Sequence, residues 1–124
     1  MNYQQRLKKE ADVRSRLSRN FGPLTKRKMK LAGGEEHECD FVSADGRIVG
    51  EIKTSEPNKQ KLSSKALRTA TLGDISRDCL LLLGTKARKR ILVLTNRVVY
   101  RRFIASKYGK VAKELGIDIR HVPA

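Results

Sequence analysis

The chain has 124 residues, 39% of them hydrophobic, which suits one domain with one packed core and argues against global disorder. Lys and Arg number 28 against 13 Asp and Glu, and the resulting net charge of +15 implies a polyanionic partner, either nucleic acid or an anionic membrane surface. Tryptophan is absent and aromatic residues make up 5%, a composition that does not favour a base-stacking platform for single strands.

Two elements are predicted before residue 36. Residues 3–19 have a weak helical periodicity, with Leu7, Ala11 and Leu17 on one face, Val13 less well placed, and basic residues elsewhere. Gly-Pro and Gly-Gly pairs then mark a break, and a short strand is predicted near residues 28–31. The chain is therefore expected to begin with a basic helix and a short strand.

A β-hairpin is predicted next, because Asp45-Gly46 is typical of a two-residue type I′ turn between alternating runs. That turn sets a register in which these residues face each other: Ala44 and Arg47, Val42 and Val49, Asp40 and Glu51, Glu38 and Lys53. Since side chains alternate along a strand, one face is predicted to carry Glu38, Asp40, Val49, Glu51 and Lys53. The other face, which forms the core, is predicted to carry Cys39, Phe41, Ile48 and Ile52. A loop one residue longer would break this register.

The remaining elements alternate between helix and strand. A helix over residues 64–83 is expected to end at Gly84, and "RILVLTN" has the continuous apolar pattern of a strand buried on both faces. A helix over residues 97–115 and a closing strand in "IDIRHV" follow. The inward residues of that helix are predicted to be Tyr100, Ile104, Tyr108, Val111 and Leu115. This order of elements predicts an α/β fold with a small mixed β-sheet flanked by helices.

The cellular setting is predicted from what the sequence lacks and from its cysteines. No apolar run approaches the about 18 residues of a membrane-spanning helix, and the first 20 residues contain no apolar signal-peptide segment. Cys39 and Cys79 both fall within apolar patterns, which favours buried free thiols over a disulfide. We expect a cytoplasmic protein that contacts nucleic acid and no membrane.

Asp40 and Glu51 are the candidate metal ligands, because facing carboxylates repel each other unless a cation lies between them. At about 5 Å across a ladder they could hold one Mg²⁺, which takes a few carboxylate oxygens and retains several waters, with Mn²⁺ as a substitute. The backbone carbonyl of Ile52 is a further candidate ligand. Lys53 is placed to orient a water or to stabilise charge on a phosphate. Without metal, the paired carboxylates are expected to raise each other's pKa.

The same residues resemble a known signature. "CD", ten further residues and "EIK" resemble the motif of the PD-(D/E)XK nuclease superfamily, which includes restriction endonucleases and Holliday junction resolvases. The resemblance implies Asp40 as the signature aspartate, Glu51 as the acidic residue and Lys53 as the lysine, with Cys39 replacing the usual proline. Several members add a glutamate from the first helix, a position that Glu10 matches. The resemblance also implies a restriction-endonuclease-like core with both halves of the motif on neighbouring strands.

Each of these residues also has a plain structural interpretation. Asp40 and Glu51 would then be solvated residues of a half-exposed hairpin, and Glu10 a surface residue paired with a nearby arginine. His37 either holds a water or a phosphate beside the motif or is a partly exposed strand histidine.

The predicted function is Mg²⁺-dependent endonucleolytic cleavage of DNA by this single domain. Lys59, Lys61 and Lys65 directly follow the motif and are expected to contact phosphates, which sets affinity more than sequence choice. A chain of 124 residues has little room for a separate sequence-reading domain, which favours structure-selective cutting. Because one site cuts one strand, a homodimer is expected. The alternatives are a non-catalytic basic module that binds DNA or structured RNA, and a structural component of a ribonucleoprotein.

Overall fold

The computed structural model of the chain describes residues 2–54 and 65–124, with side chains in the second range from residue 72 onward. Four helices and five strands lie within these ranges. In chain order they are α1 (Tyr3–Phe21), β1 (Leu24–Lys30), β2 (Glu36–Ser43), β3 (Ile48–Lys53), α2 (Lys65–Leu83), β4 (Lys89–Leu94), α3 (Arg97–Ala105), α4 (Lys107–Glu114) and β5 (Ile117–His121).

The strands form one mixed sheet in the order β1-β2-β3-β4-β5. The first three strands are antiparallel neighbours, whereas β3, β4 and β5 run parallel to one another. Helix α2 connects β3 to β4, and α3 and α4 connect β4 to β5, because parallel strands need a crossover connection. The prediction of an α/β fold with a small mixed sheet flanked by helices is confirmed. Within the described residues, no helix combines the length and the apolar character that crossing a membrane requires.

Both faces of the sheet are covered by helices, and each has its own hydrophobic cluster. The α1-side cluster contains Val13, Leu17, Leu24, Phe41, Ile52, Ile91 and Val93. The α2-side cluster contains Cys39, Val42, Val49, Ile75, Cys79, Leu82, Ala87, Leu92, Leu94, Val99, Phe103, Ala112 and Ile117. Alternate residues of β4 enter opposite clusters, which confirms that this strand is buried on both faces. Cys39 and Cys79 are buried free thiols, as predicted.

The hairpin turn differs from the prediction, although its register does not. Asp45 has no positive φ, so the turn is not type I′. Instead the Gly46 N–H donates to the Ser43 carbonyl (2.9 Å), and Gly46 takes the positive φ of 73°. The strands end at Ser43 and restart at Ile48, which makes the loop two residues longer than predicted. An even change preserves the alternation of side chains, and Val42 still faces Val49.

A β-bulge in β2 changes which side chains share a face. Thr25 pairs with Val42 and Arg27 with Cys39, so three steps along β2 match two steps along β1. The extra residue lies at Asp40–Phe41 and shifts the alternation there. Cys39 consequently enters the α2-side cluster while Phe41 enters the α1-side cluster. The prediction that Cys39 and Phe41 share one core face is therefore wrong, because a single-strand alternation rule does not include the bulge.

The predicted helix over residues 97–115 is two helices. Ser106 ends α3 through its N–H, which donates to the Phe103 carbonyl, and begins α4 through its hydroxyl, which accepts from the Gly109 N–H. Only glycine fits at residue 109, since a Cβ there would lie 2.0 Å from the Phe103 carbonyl oxygen. The break rotates α4, and three of the predicted inward residues are about half exposed: Tyr108, Val111 and Leu115. Ile104 is also exposed, so that part of the prediction is wrong.

Candidate active site

The candidate site lies where the regular pairing of β2 with β3 ends. The ladder pairs Val42 with Val49 and Phe41 with Gly50. One step further along β2, a side chain takes the place of the backbone hydrogen bond. The Oδ2 atom of Asp40 accepts a hydrogen bond from the Ile52 N–H at 2.8 Å. The N–H and C=O of one strand residue point to the same side of the strand, so the Ile52 carbonyl is directed toward the same gap. Asp40, Glu51 and the Ile52 carbonyl thus present oxygen atoms to one region.

The carboxyl groups of Asp40 and Glu51 are neighbours, as the predicted register requires. Glu51 is 7% exposed. Burial raises the pKa of Glu51 to about 10, and the charge of Asp40 and a side-chain hydrogen bond with it act in the same direction. A protonated Glu51 donates that hydrogen bond to the Asp40 carboxylate. Carboxylate oxygens that attract a proton this strongly could also bind a hard divalent cation such as Mg²⁺.

Glu10 of α1 belongs to the same group of carboxyls. It is 7% exposed, which contradicts a place on the helix surface, and its Oε1 lies 4.0 Å from Arg6 Nε. Burial raises the pKa of Glu10, and the neighbouring Asp40 charge raises it further. Arg14, one turn along α1, donates from Nη1 to the Asp40 carbonyl at 3.3 Å and so ties the helix to the bulge. The predicted candidate from the first helix is therefore close to Asp40.

Lys53 pairs with Asp78 of α2, a residue that sequence reasoning missed. Lys53 Nζ lies 3.2 Å from Asp78 Oδ2. Burial raises the pKa of Asp78, and the charge of Lys53 opposes that shift. The predicted pair of Lys53 with Glu38 does not form, because the bulge displaces Glu38 and its Oε1 lies 3.7 Å from Lys26 Nζ.

A sequence signal for both helical carboxylates exists in the spacing of apolar residues. Glu10 precedes Val13 and Leu17 by three and seven residues and therefore lies on the buried stripe of α1. Asp78 lies three residues after Ile75 and four before Leu82, on the buried stripe of α2. A carboxylate on such a stripe is costly unless it is paired or functional. This pattern would have predicted Glu10 and Asp78 together.

His37, on β2, contacts the site through Glu51 on the neighbouring strand β3. Its Nε2 lies 2.6 Å from Glu51 Oε1, and its side chain is partly exposed. His37 is therefore a direct partner of the acidic motif residue, rather than only a strand histidine beside it. Cys39, two residues along β2, lies on the same side of the strand, and its sulfur is within 4.8 Å of the other two ligand atoms. Burial, assisted by the nearby Glu51 charge, raises the pKa of the Cys39 thiol to about 12.

One polar cavity of about 280 Å³ collects the predicted site residues. Its lining residues are Tyr3, Arg6, Leu7, Glu10, Lys26, Glu38, Asp40, Glu51, Ile52, Lys53, Thr54 and Asp78. The structure thus brings together Asp40, Glu51, Ile52, Lys53 and Glu10. Lys59 and Lys61 lie outside the described residues, and Lys65 begins α2 without a described side chain, so their predicted phosphate contacts remain predictions.

Comparisons of the chain with protein-family models, with curated proteins and with solved structures gave no match. The chemistry of the site is therefore argued from its own geometry.

Proposed function

We propose that the chain is a metal-dependent endonuclease that hydrolyses DNA phosphodiester bonds, as a member of the PD-(D/E)XK superfamily. The observation that carries this proposal is the convergence of Asp40, Glu51 and Lys53 in one polar cavity of a chain with a net charge of +15. The chain as a whole is basic and repels cations, yet several of its carboxylates are gathered in this one cavity. Such an arrangement suits a small divalent ion that meets a polyanion.

The metal-binding part of the proposal assigns Mg²⁺, or Mn²⁺ in its place, to Asp40, Glu51 and the Ile52 carbonyl. The oxygen-only donor set fits that ion. When bound, it would neutralise phosphate charge and lower the pKa of a coordinated water. Asp40 keeps its own orientation through the Ile52 N–H, so the ligand is positioned before any ion arrives. Glu51 must release its proton to serve as a ligand.

The other cavity residues act on the water and the phosphate. Lys53 is held by Asp78 at 3.2 Å, which fixes its ammonium group beside Glu51, where it can orient a water and offset negative charge on the phosphate. The carboxyl of Glu10 has a raised pKa and lies near Asp40, so it holds a proton more readily than an exposed glutamate does. That property suits a group that accepts a proton from water.

Substrate contacts are proposed for the basic residues of the cavity. Arg6 and Lys26 line it alongside the carboxylates, and they would bind phosphates that flank the cleaved bond. Lys59, Lys61 and Lys65 extend the same proposal to the segment after β3. Because these groups read charge and not bases, the substrate is proposed to be selected by DNA structure, such as a junction or a flap. A symmetric homodimer would supply the second site for the second strand.

The experiment that tests the proposal is cleavage of supercoiled plasmid and of a labelled four-way junction, with Mg²⁺, Mn²⁺ or EDTA. We expect metal-dependent nicking by the wild type and at least about 100-fold less by Glu51→Gln. Glu36→Gln is the matched control, since it removes the same charge from an exposed position on β2, and it should cleave like the wild type. Absence of cutting with every metal, or cutting by Glu51→Gln at the wild-type rate, would contradict the proposal.

A non-catalytic DNA- or RNA-binding module is the second candidate, and the net charge of +15 is the observation that favours it. That function predicts salt-sensitive binding that is indifferent to EDTA. It also predicts that Glu51→Gln leaves binding unchanged or slightly tighter. It gives no role to the cluster of buried carboxyls.

A further inference from the structure

Besides Asp40, Glu51 has a second set of potential metal ligands beside it. His37 and Cys39 are two residues apart on β2 and point to the same side of that strand. His37 Nε2 is 2.6 Å from Glu51 Oε1, and the three ligand atoms of His37, Cys39 and Glu51 all lie within 4.8 Å of one another. Asp40 follows Cys39 directly along β2, at the bulge, and is not a member of this group.

The donor types of this group differ from those of the Mg²⁺ site. Thiolate and imidazole are ligands that Zn²⁺ prefers and that Mg²⁺ does not take. Tetrahedral Zn²⁺ with bonds of about 2.0–2.3 Å separates its ligand atoms by about 3.3–3.8 Å. His37 Nε2 and Glu51 Oε1, at 2.6 Å, would have to move apart by about 1 Å or less. The two distances to the Cys39 sulfur are each under 4.8 Å and would have to shorten by about 1.5 Å at most. Cys39 and Glu51 are buried, whereas His37 is partly exposed and provides access from solvent.

We infer that His37, Cys39 and Glu51 form a second metal site, which prefers a borderline-soft divalent cation such as Zn²⁺ over Mg²⁺, with a water as the fourth ligand. Binding releases the thiol proton of Cys39 and the carboxyl proton of Glu51 to solvent, because the thiolate and the carboxylate are the ligands. The regulatory part of the inference rests on the proposed nuclease function. Glu51 belongs to both sites, so its coordination beside His37 and Cys39 removes it from Asp40. Zn²⁺ therefore inhibits the Mg²⁺-supported reaction.

The site itself is tested without any nuclease assay, by titration of the full chain with Co²⁺ under reducing conditions. We expect one equivalent to bind with a thiolate-to-Co²⁺ charge-transfer band in the near ultraviolet and the intense visible bands of tetrahedral Co²⁺. Cys39→Ala and His37→Gln should both lose the charge-transfer band or weaken Co²⁺ binding at least about tenfold. Cys79→Ala is the matched control, since Cys79 is the other buried free thiol, and it should keep the band.

A circular dichroism spectrum and a thermal melt of each variant show whether it is folded. His37→Gln replaces a partly exposed side chain, so it remains informative if the buried Cys39→Ala variant does not fold. A wild-type protein without a charge-transfer band overturns the second site. So does folded His37→Gln that binds Co²⁺ with the wild-type affinity and an undiminished band.

Inhibition is measured as Mg²⁺-supported nicking at increasing Zn²⁺, each variant being normalised to its own rate without Zn²⁺. We expect wild-type nicking to stop near one equivalent of Zn²⁺, and Cys39→Ala or His37→Gln to need at least about tenfold more. Stimulation by Zn²⁺, or equal sensitivity of the variants, overturns the competition. If the protein shows the Co²⁺ band but does not nick DNA with any metal, the second site is upheld and the nuclease function is contradicted. Nicking by a protein without the band would do the reverse.

Discussion

The Asp40 carboxylate accepts a hydrogen bond from the Ile52 N–H at 2.8 Å and thereby joins β2 to β3 beyond the end of their ladder. One side chain thus has a structural and a proposed metal-binding role, and two substitutions separate them. Asp40→Asn keeps an oxygen acceptor for the N–H but removes the charge. We expect at least about 100-fold less nicking with stability within about 1 kcal/mol of the wild type.

Asp40→Ala removes the acceptor as well and should lower the free energy of unfolding by about 1–3 kcal/mol. Chemical denaturation and plasmid nicking measure the two effects. Asp45→Asn in the turn of the same hairpin is the control for nicking, because it makes the same chemical change in a residue that does not line the cavity. If Asp40→Asn and Asp40→Ala had the same free energy of unfolding, loss of the acceptor would cost nothing, and the hydrogen bond would have no structural role.

Glu51 should make metal-free stability fall as the pH rises. Its pKa is about 10 in the folded chain against an ordinary 4.5, so between these values the folded state binds more protons than the unfolded state. Stability from this group is fully present below pH of about 4.5 and is lost progressively above it, by on the order of 3 kcal/mol at pH 7. Denaturation in EDTA from pH 4.5 to 9 measures the slope.

Glu51→Gln cannot ionise and should be more stable than the metal-free wild type at pH 8, with the difference vanishing near pH 4.5. Mg²⁺ should stabilise the wild type more at pH 8 than at pH 5, since metal and proton compete for Glu51. Binding should also release protons, which calorimetry in buffers of different ionisation enthalpy detects. A pH-independent difference between Glu51→Gln and the wild type would contradict the raised pKa.

Asp78 should support catalysis through Lys53. Without its carboxylate partner the ammonium group loses its fixed position, and we expect Asp78→Asn to lower kcat about 10- to 100-fold with little change in KM. Combined with Lys53→Met, the Asp78→Asn change should add almost nothing, because both remove one interaction. Asp74→Asn, on an exposed position one turn earlier in α2, is the control. Additive losses in the double variant would show that Asp78 acts independently.

Gly50 should be essential for the strand that carries Glu51. The Phe41 ring lies against its Cα, and a Cβ at residue 50 would be 1.9 Å from Phe41 Cζ. We expect Gly50→Ala to lower the free energy of unfolding by about 1–3 kcal/mol or more, and Phe41→Leu in that background to recover part of the loss. Gly33→Ala meets no atom within 4 Å and should be close to neutral. If Gly50→Ala were as stable as the wild type, β3 or the Phe41 ring would have to move without cost to make room for the methyl group, and the prediction would be wrong.

Lys26 should contribute one phosphate contact to DNA binding. We expect Lys26→Ala to reduce the slope of log affinity against log salt by about 1, whatever the DNA sequence. Binding is measured in EDTA, so that cleavage does not interfere. Lys110→Ala removes the same charge from α4, on the other side of the sheet from α1, and should keep the wild-type slope. Equal slopes for Lys26→Ala and the wild type would remove this residue from the proposed interface.

Glu10 shows how much of the site the spacing of residues within one helix can predict. Glu10 was predicted only from the resemblance of the motif to a nuclease signature. The predicted inward face of the first helix contained Ala11, which is exposed, instead of Glu10, which is buried. Counting only apolar residues hides a carboxylate on the buried stripe. Asp78 was missed for the same reason, and no local rule connects it with Lys53, 25 positions away along the chain.

The sequence by itself determined the mixed α/β order and the facing of Val42 with Val49, which brings Asp40 and Glu51 together. These features depend on the alternation of neighbouring residues and on a turn between them, which are local properties. The tertiary structure decided the bulge at Asp40–Phe41, the division of the last helix at Ser106 and the meeting of Lys53 with Asp78. Each depends on which elements pack on each face of the sheet, and packing joins residues far apart in the chain.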